Sequence, residues 1–424
     1  MMKLNYKKTI LIGLAFLSIS AFWQMYDNVI PLILKNTFGL GETFTGVIMA
    51  ADNVLALFLL PFFGNLSDKI NTPIGKRMPF ILVGTAIAVT LIQVLGHANN
   101  IGSLPLFAGT LLVLLIAMGL YRSPAVALMP DLTPKPLTSK GNAIINLMGA
   151  VGGVAALGMI KLLVGSGLTP DYRPLFTGVS VLMVVCVVIL FLTIKENKLR
   201  KEMRVDLTEE EIQQPQTTKD LPKDMKRSLS FILISVSLWY VAYNAVTTAF
   251  SRYATQVWQM ENGGYANCLL ICTIAAIVSY LPIGMIASKI GRKKTIQLGV
   301  ILLVICFLSA GVYSNYHGSL IIFFGMIGFA WAAINVNSLP MVIEIASAGE
   351  VGKYTGLYYT FSMSAQVITP VLSGILLEYV SYRTLFPYAV FFSICAFITI
   401  SQVKHGDTKP LQKKSVLENF DVED

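Results

Sequence analysis

Asp27, Asp52 and Arg122 are charged residues that stand well inside otherwise apolar runs of this sequence. Charge among residues that avoid water is costly. Where it persists it faces a protein interior or a wet cavity and marks a route for protons, ions or polar solutes. A carboxylate so placed can load a proton on one side of a barrier and release it on the other. Arg122 cannot shed its charge, so it needs a carboxylate or a polar ligand beside it, and either aspartate can serve when deprotonated. The plainer readings are a neutral Asp52 hydrogen-bonded to a neighbouring helix, and an Asp27 that reaches water at an interface or binds a solute hydroxyl. The expected coupling group is Asp52, with Asp27 and Arg122 as partners.

A second set of residues suits a neutral polar solute. Planar amides and hydroxyls meet solute hydroxyls, and aromatic rings cover an apolar ring face. Gln24, Tyr26, Asn146, Tyr243, Asn244, Trp331, Asn335, Tyr359 and Gln366 are of these types and fall in the inner parts of apolar runs. A third set, Asp68, Lys76, Arg77 and Asp131 with Arg292 and Glu344 further on, lies at the ends of such runs and has charges suited to a latch. The bias of cations toward one side of a membrane accounts for Lys76 and Arg77 but not for the acids beside them.

Other chemistries lack their residues. His97, His317 and His405 lie at or beyond the ends of the apolar runs, and neither an HExxH motif nor a nucleotide-binding loop is present, so an enzyme, even a membrane-embedded one, is a weak alternative. All five cysteines lie in apolar runs; Cys268 and Cys272 share a helix face, without an acid or histidine in metal-ligand spacing. No cofactor or metal is expected.

The elements that must position these residues follow from composition. The chain has 424 residues, 55% hydrophobic and 13% charged, with a mean hydropathy of +0.68. Apolar runs recur at roughly 20 residues, the length that crosses about 30 Å of hydrocarbon. Twelve membrane helices are predicted, near residues 10–34, 43–66, 79–97, 104–130, 141–164, 172–194, 228–253, 265–287, 295–315, 319–345, 354–378 and 384–403. The net charge of +9 then reflects topology rather than nucleic-acid binding. With both ends cytoplasmic, roughly 26 of the 32 Lys and Arg fall in cytoplasmic loops and tails. The glycines of the fifth helix (Gly149, Gly152, Gly153, Gly158) predict close helix packing. Residues 195–227, with the Glu209-Glu210-Glu211 run, read as a cytoplasmic linker, and residues 404–424 as a polar tail.

The two halves resemble each other. Ser18, Ser20, Phe22, Trp23, Tyr26, Asp27 and Val29 recur in order and spacing as Ser235, Ser237, Trp239, Tyr240, Tyr243, Asn244 and Val246. Leu60-Pro61 with Gly75-Lys76-Arg77 is echoed by Leu281-Pro282 with Gly291-Arg292-Lys293-Lys294, and Tyr172-Arg173 by Tyr382-Arg383. The expected fold is therefore an all-α membrane protein: twelve transmembrane helices in two pseudo-symmetric six-helix bundles, residues 1–194 and 228–403, around a central cavity. One half holds a titratable group, Asp27, where the other holds the neutral Asn244.

The loop GNLSDKINTPIGKR and this duplicated architecture resemble the major facilitator superfamily over nearly the whole chain. SDKINTPIGKRMPFI is similar to a loop of the sucrose:proton symporter group. RSPAVALMPDL and GNAIINLMGAVGG are similar to the same region of that group and of the glycoside–pentoside–hexuronide:cation symporters. The resemblance implies alternating access, uptake of a sugar or glycoside with protons, and a cytoplasmic latch with Asp68 against a helix N-terminus. Melibiose-type relatives carry sodium-binding acids where this chain has Ala56 and Leu60, which favours protons. A drug or organic-ion:proton antiporter of the same fold is the alternative. A monomer in a bacterial inner membrane is expected.

Overall fold

The computed structural model describes residues 5–133, 138–165, 167, 169–199, 222–261, 263–345 and 351–407. Among them run twelve long helices. The first six are α1 (Tyr6–Asn36), α2 (Glu42–Lys69), α3 (Met78–Asn100), α4 (Leu104–Asp131), α5 (Thr138–Leu163) and α6 (Arg173–Thr193). The second six are α7 (Lys223–Gln256), α8 (Tyr265–Ile290), α9 (Arg292–Val312), α10 (Leu320–Ile345), α11 (Val351–Tyr379) and α12 (Leu385–Ser401), the last preceded by a 3-10 turn at Tyr382–Thr384. The Glu209-Glu210-Glu211 run and the tail beyond residue 407 lie outside the described residues.

Helices are what this composition requires, because hydrocarbon cannot satisfy backbone N–H and C=O groups and a helix satisfies them internally. Eleven of the twelve are long and apolar enough to span a membrane, and α8 adds an apolar stretch at Tyr265–Tyr280. Sequence signals set the starts. Asn5 accepts the Lys8 N–H at 3.1 Å, and prolines occupy the first turns of α3, α4 and α6, where a backbone donor has no helical partner to lose. α7 begins at Lys223, directly after Pro222, so it takes in residues that read from sequence as linker.

The chain divides into two compact units. One comprises Met1–Leu40, Ala51–Glu209 and Glu261–Asn267; the other comprises Gly41–Ala50, Glu210–Met260 and Cys268–Asp424. Within the first six helices, α1 packs on α4, α5 and α6, α3 on α4 and α6, and α5 on α4 and α6. The second six repeat every pair: α7 packs on α10, α11 and α12, α9 on α10 and α12, and α11 on α10 and α12. The duplication read from the sequence is thus a duplication of packing. Small residues permit its closest approach. A Cβ at Gly152 of α5 would fall 2.0 Å from the Leu17 carbonyl of α1, and one at Gly149 would fall 3.0 Å from Ser20 Oγ, whereas Gly158 faces open space.

The first turns of α2 fold into the second unit, around a buried ion pair. Glu42 and Arg252 are each 1% exposed. Arg252 Nε donates to Glu42 Oε2 at 2.6 Å and Nη1 to the Thr248 carbonyl at 3.1 Å. The Tyr382 hydroxyl donates to Glu42 Oε1. Glu378 Oε2 accepts the Thr43 N–H at 2.7 Å, so a carboxylate meets the unpaired donors at the start of α2. Gly46 lies so close to α11 that a Cβ would fall 2.1 Å from the Pro370 carbonyl. Arg252→Ala takes the counter-charge from the buried Glu42 carboxylate, and we predict a loss of about 3–5 kcal/mol. Removing both charges together (Glu42→Gln with Arg252→Gln) is expected to cost less. Equilibrium unfolding in detergent measures both, and an Arg252→Ala protein as stable as the parent refutes the assignment.

Candidate functional site

Arg122 is aimed by its neighbours. Successive residues of a helix point about 100° apart, so the directions of Tyr121 and Ser123 bracket that of Arg122. The Tyr121 hydroxyl donates to the Ala15 carbonyl of α1 at 3.1 Å and contacts Ser18 Oγ. Ser123 Oγ donates to the Leu60 carbonyl of α2 at 2.7 Å. With one flank fastened to α1 and the other to α2, the guanidinium is directed toward the groove between them. Its carbon lies 5.8 Å from the Trp23 ring centroid, within cation–π range.

Trp23, Asp52 and Arg122 line one narrow pocket with Leu55, Leu59 and Gly119. Its volume is about 10 Å³, roughly the room one water needs. Asp52 Oδ1 accepts the Asn53 backbone N–H at 2.6 Å and Asn53 Nδ2 at 2.8 Å. Asp27 and Tyr26 lie within electrostatic range of Asp52. The structure therefore brings together four residues singled out from three separate stretches of sequence. Trp23 Nε1 and the Tyr26 hydroxyl are buried without a hydrogen-bond partner among the described residues. Gln24 is half-buried on α1 and Asn146 half-buried on α5. Gly153 of α5 packs close to Gln24, so that a Cβ there would fall 3.7 Å from Gln24 Oε1.

In the second unit, α7, α10 and α11 assemble an aromatic cluster. Tyr243 and Trp331 stack at 3.7 Å with planes 5° apart. Tyr240 meets the Trp331 ring edge-on at 5.2 Å and reaches Asn335 Oδ1 at 3.4 Å. Tyr358 lies 3.5 Å from the Tyr240 hydroxyl and 2.9 Å from Ser338 Oγ. Of the expected residues, Tyr243, Trp331 and Asn335 come together here, and Tyr359 joins through the Tyr358 ring at 5.5 Å. Asn244 Nδ2 is buried without a hydrogen-bond partner among the described residues. Gln366 is half-buried on α11, about two turns beyond Tyr359.

The loop charges form two clusters, one in each unit. Arg77 is 4% exposed, with Nε donating to Asp131 at 2.9 Å and Nη2 to Asp68 at 2.5 Å. Its Nη1 donates to the Gly64 carbonyl at 3.3 Å and to Ser67 Oγ. Lys76 Nζ lies 3.2 Å from Asp68 and 3.3 Å from Asp131. In the other unit Arg292 Nη1 pairs with Glu344 at 2.5 Å. Asp68 is thus bound by Lys76 and Arg77, and the carboxylate at the start of α3 is Glu196. Fully buried, Glu196 accepts the backbone N–H groups of Lys76, Arg77 and Met78 at 2.9 to 3.2 Å. Gly75, at φ +127°, lets this carboxylate approach, since a Cβ there would fall 2.1 Å from Glu196 Oε2. The second unit repeats the device. Asp407 accepts the Lys293 N–H at 2.7 Å beside Gly291, whose φ is +95°.

Glu196, Asp407, Tyr240, Tyr358 and the pairing of Glu42 with Arg252 were not singled out from sequence. Tyr240 carried a signal as the repeat mate of Trp23, and Arg252 as a cation within the predicted run 228–253. The others meet partners distant in sequence, on helices whose facing the periodicity of an all-apolar segment does not encode.

The sequence profile of the Major Facilitator Superfamily matches residues 12–279 and 265–418. The chain belongs to that superfamily. Multidrug resistance protein 2 of Bacillus subtilis is 23% identical over 88% of this chain and 90% of its own length. Sucrose transport protein SUC3 of Arabidopsis thaliana is 28% identical over 31% of this chain and 25% of its own. The crystal structure of a mutant of the nucleoside transporter NupG superposes with a TM-score of 0.70 at 13% identity, covering 94% of this chain and 100% of that one. The protein is an integral, multi-pass membrane transporter of small solutes with the major facilitator fold.

Replacing Glu196 with alanine leaves three N–H groups at the start of α3 without their acceptor. We expect a cost of about 1–3 kcal/mol and faster amide exchange at residues 76–78. Hydrogen exchange read by mass spectrometry checks this, and unchanged protection there counts against the capping role.

Proposed function

We propose that this protein is a proton-coupled symporter of a sugar or glycoside, working by alternating access, and that Asp52 carries the proton. The observation that supports it is the shared pocket of Trp23, Asp52 and Arg122, with Asp27 in electrostatic range. Two carboxylates lie within electrostatic range of one permanent cation, so the charge of the group changes with each proton bound or released. In this reading protonation of Asp52 weakens its attraction to Arg122, and solute binding is linked to that change.

The solute class is supported by three features. Trp23 Nε1, the Tyr26 hydroxyl and Asn244 Nδ2 are buried polar atoms without a hydrogen-bond partner among the described residues. Such groups are costly unless something binds them, and solute hydroxyls are suited to do so. The Tyr243–Trp331 stack offers a flat apolar face with Asn335 nearby, the pairing that carbohydrate rings require. The sucrose transporter named above, and an isoprimeverose transporter of Lactiplantibacillus pentosus at 23% identity, add to this.

A second reading, a drug:proton antiporter, is favoured by the multidrug resistance relative, whose match covers far more of the chain. Both readings use the same acids and differ in what occupies the aromatic and amide groups.

Uptake into proteoliposomes under an imposed proton gradient, compared with a sodium gradient across a panel of sugars and lipophilic cations, separates them. Proton-driven sugar uptake is expected. It should fall in Asp52→Asn and in Arg122→Ala by about 5- to 150-fold, the span of a 1–3 kcal/mol coupling energy. Full proton-driven uptake in both variants defeats the assignment, and transport of lipophilic cations alone selects the antiporter.

A further inference from the structure

The segment joining α8 to α9 is dense in cations: Lys289, Arg292, Lys293 and Lys294. Two are engaged by the protein itself. Arg292 pairs with Glu344. Lys293 Nζ donates to the Ser401 and Val403 carbonyls at 2.9 and 2.7 Å, where the cation suits the C-terminal end of α12. Lys289 and Lys294 have no carboxylate partner among the described residues, and both are exposed. They head a groove of about 450 Å³ whose other walls are Ile290, Gln297, Leu298, Ile301 and Phe397.

The groove is graded along its length. Its cations and the Gln297 amide, which is tied to Ser401 Oγ at 3.0 Å, lie at the helix ends. From Lys294 to Ile301 the α9 axis rises about 10 Å, and over that distance the lining becomes apolar. Leu298 is 55% and Ile301 41% exposed. Both belong to a helix composed to cross hydrocarbon, so these side chains meet lipid rather than water. A ligand matching the groove needs an anionic head at the interface and a hydrocarbon tail directed into the bilayer. A soluble anion would leave the apolar walls unused, and a neutral lipid would leave two ammonium groups without a counter-charge.

We propose that this groove binds one anionic phospholipid, its phosphate between Lys289 and Lys294 and an acyl chain along Leu298, Ile301 and Phe397. The general bias of cations toward one side of a membrane places lysines at helix ends. It does not explain why two of the four are consumed by protein partners while the other two share one amphipathic groove. The site is independent of the acids and aromatic groups discussed for transport, so it stands whichever solute is carried.

Native mass spectrometry of the full-length protein tests it, with phosphatidylglycerol and phosphatidylcholine of identical acyl chains offered together. The parent protein is expected to retain one phosphatidylglycerol in preference to phosphatidylcholine. Each basic side chain near an anionic surface contributes ~1 kcal/mol, a factor of about 5, so Lys289→Gln with Lys294→Gln should lower the preference about 30-fold. Lys289→Arg with Lys294→Arg should keep it. Thermal unfolding verifies that the variants fold, and Lys294→Gln alone, expected to lose about fivefold, serves if the double variant does not. Equal retention of both lipids by the parent, or an undiminished preference in a folded glutamine variant, overturns the proposal. So does displacement of the lipid by millimolar inorganic phosphate, which would make the site one for a soluble anion.

Discussion

Hydrocarbon offers a polar group nothing to bind, and this absence governs the molecule at every scale. It forces the backbone into helices long enough to carry their own hydrogen bonds across the bilayer. Charges that the fold takes out of water keep company too, within the spans and at their ends. Glu42 meets Arg252 and Tyr382, Arg77 meets Asp68 and Asp131, and Glu196 meets three backbone amides. Each of these charges is matched by hydrogen bonds as well as by an opposite charge or dipole, the condition under which a buried ion is tolerable.

Against that background the Asp27–Asp52–Arg122 group differs in kind. Two acids share the field of one arginine: Asp52 lines a pocket with Arg122 wide enough for about one water, and Asp27 lies in electrostatic range of both. The scaffold around it is fixed by neutral contacts: the Tyr121 and Ser123 hydroxyls tie α4 to backbone carbonyls of α1 and α2. Neutral ties thus hold in place the helices that carry this uneven set of charges.

Much of this was legible in the sequence, for identifiable reasons. The length and apolar character of the runs determine the spans, and the echo of Trp23, Tyr26 and Asp27 in Tyr240, Tyr243 and Asn244 announces the paired packing of α1 and α7 with their neighbours. Charges such as Asp52 and Arg122 stand out because an apolar background makes them conspicuous. What stayed hidden depends on which face of a helix meets which neighbour. Glu196 looked like part of a polar linker, yet it is buried, because its partners are backbone amides that leave no mark on side-chain pattern. The tie between Glu42 and Arg252 joins the first half of the sequence to the second, a relation that local spacing does not contain.

Glu196 and Asp407 occupy matching places, each on the stretch that follows the sixth helix of its half and each backed by a glycine with positive φ. If the two halves descend from one ancestral segment, that segment did not stop where its last helix left the membrane. It carried a short trailing piece bearing an acid, and the copy retained both the piece and the acid's task. The packing of the first half therefore takes in Glu196, beyond the end of α6 at Thr193. A split or permuted form cut closer to the bilayer would deprive its first part of the carboxylate that closes it.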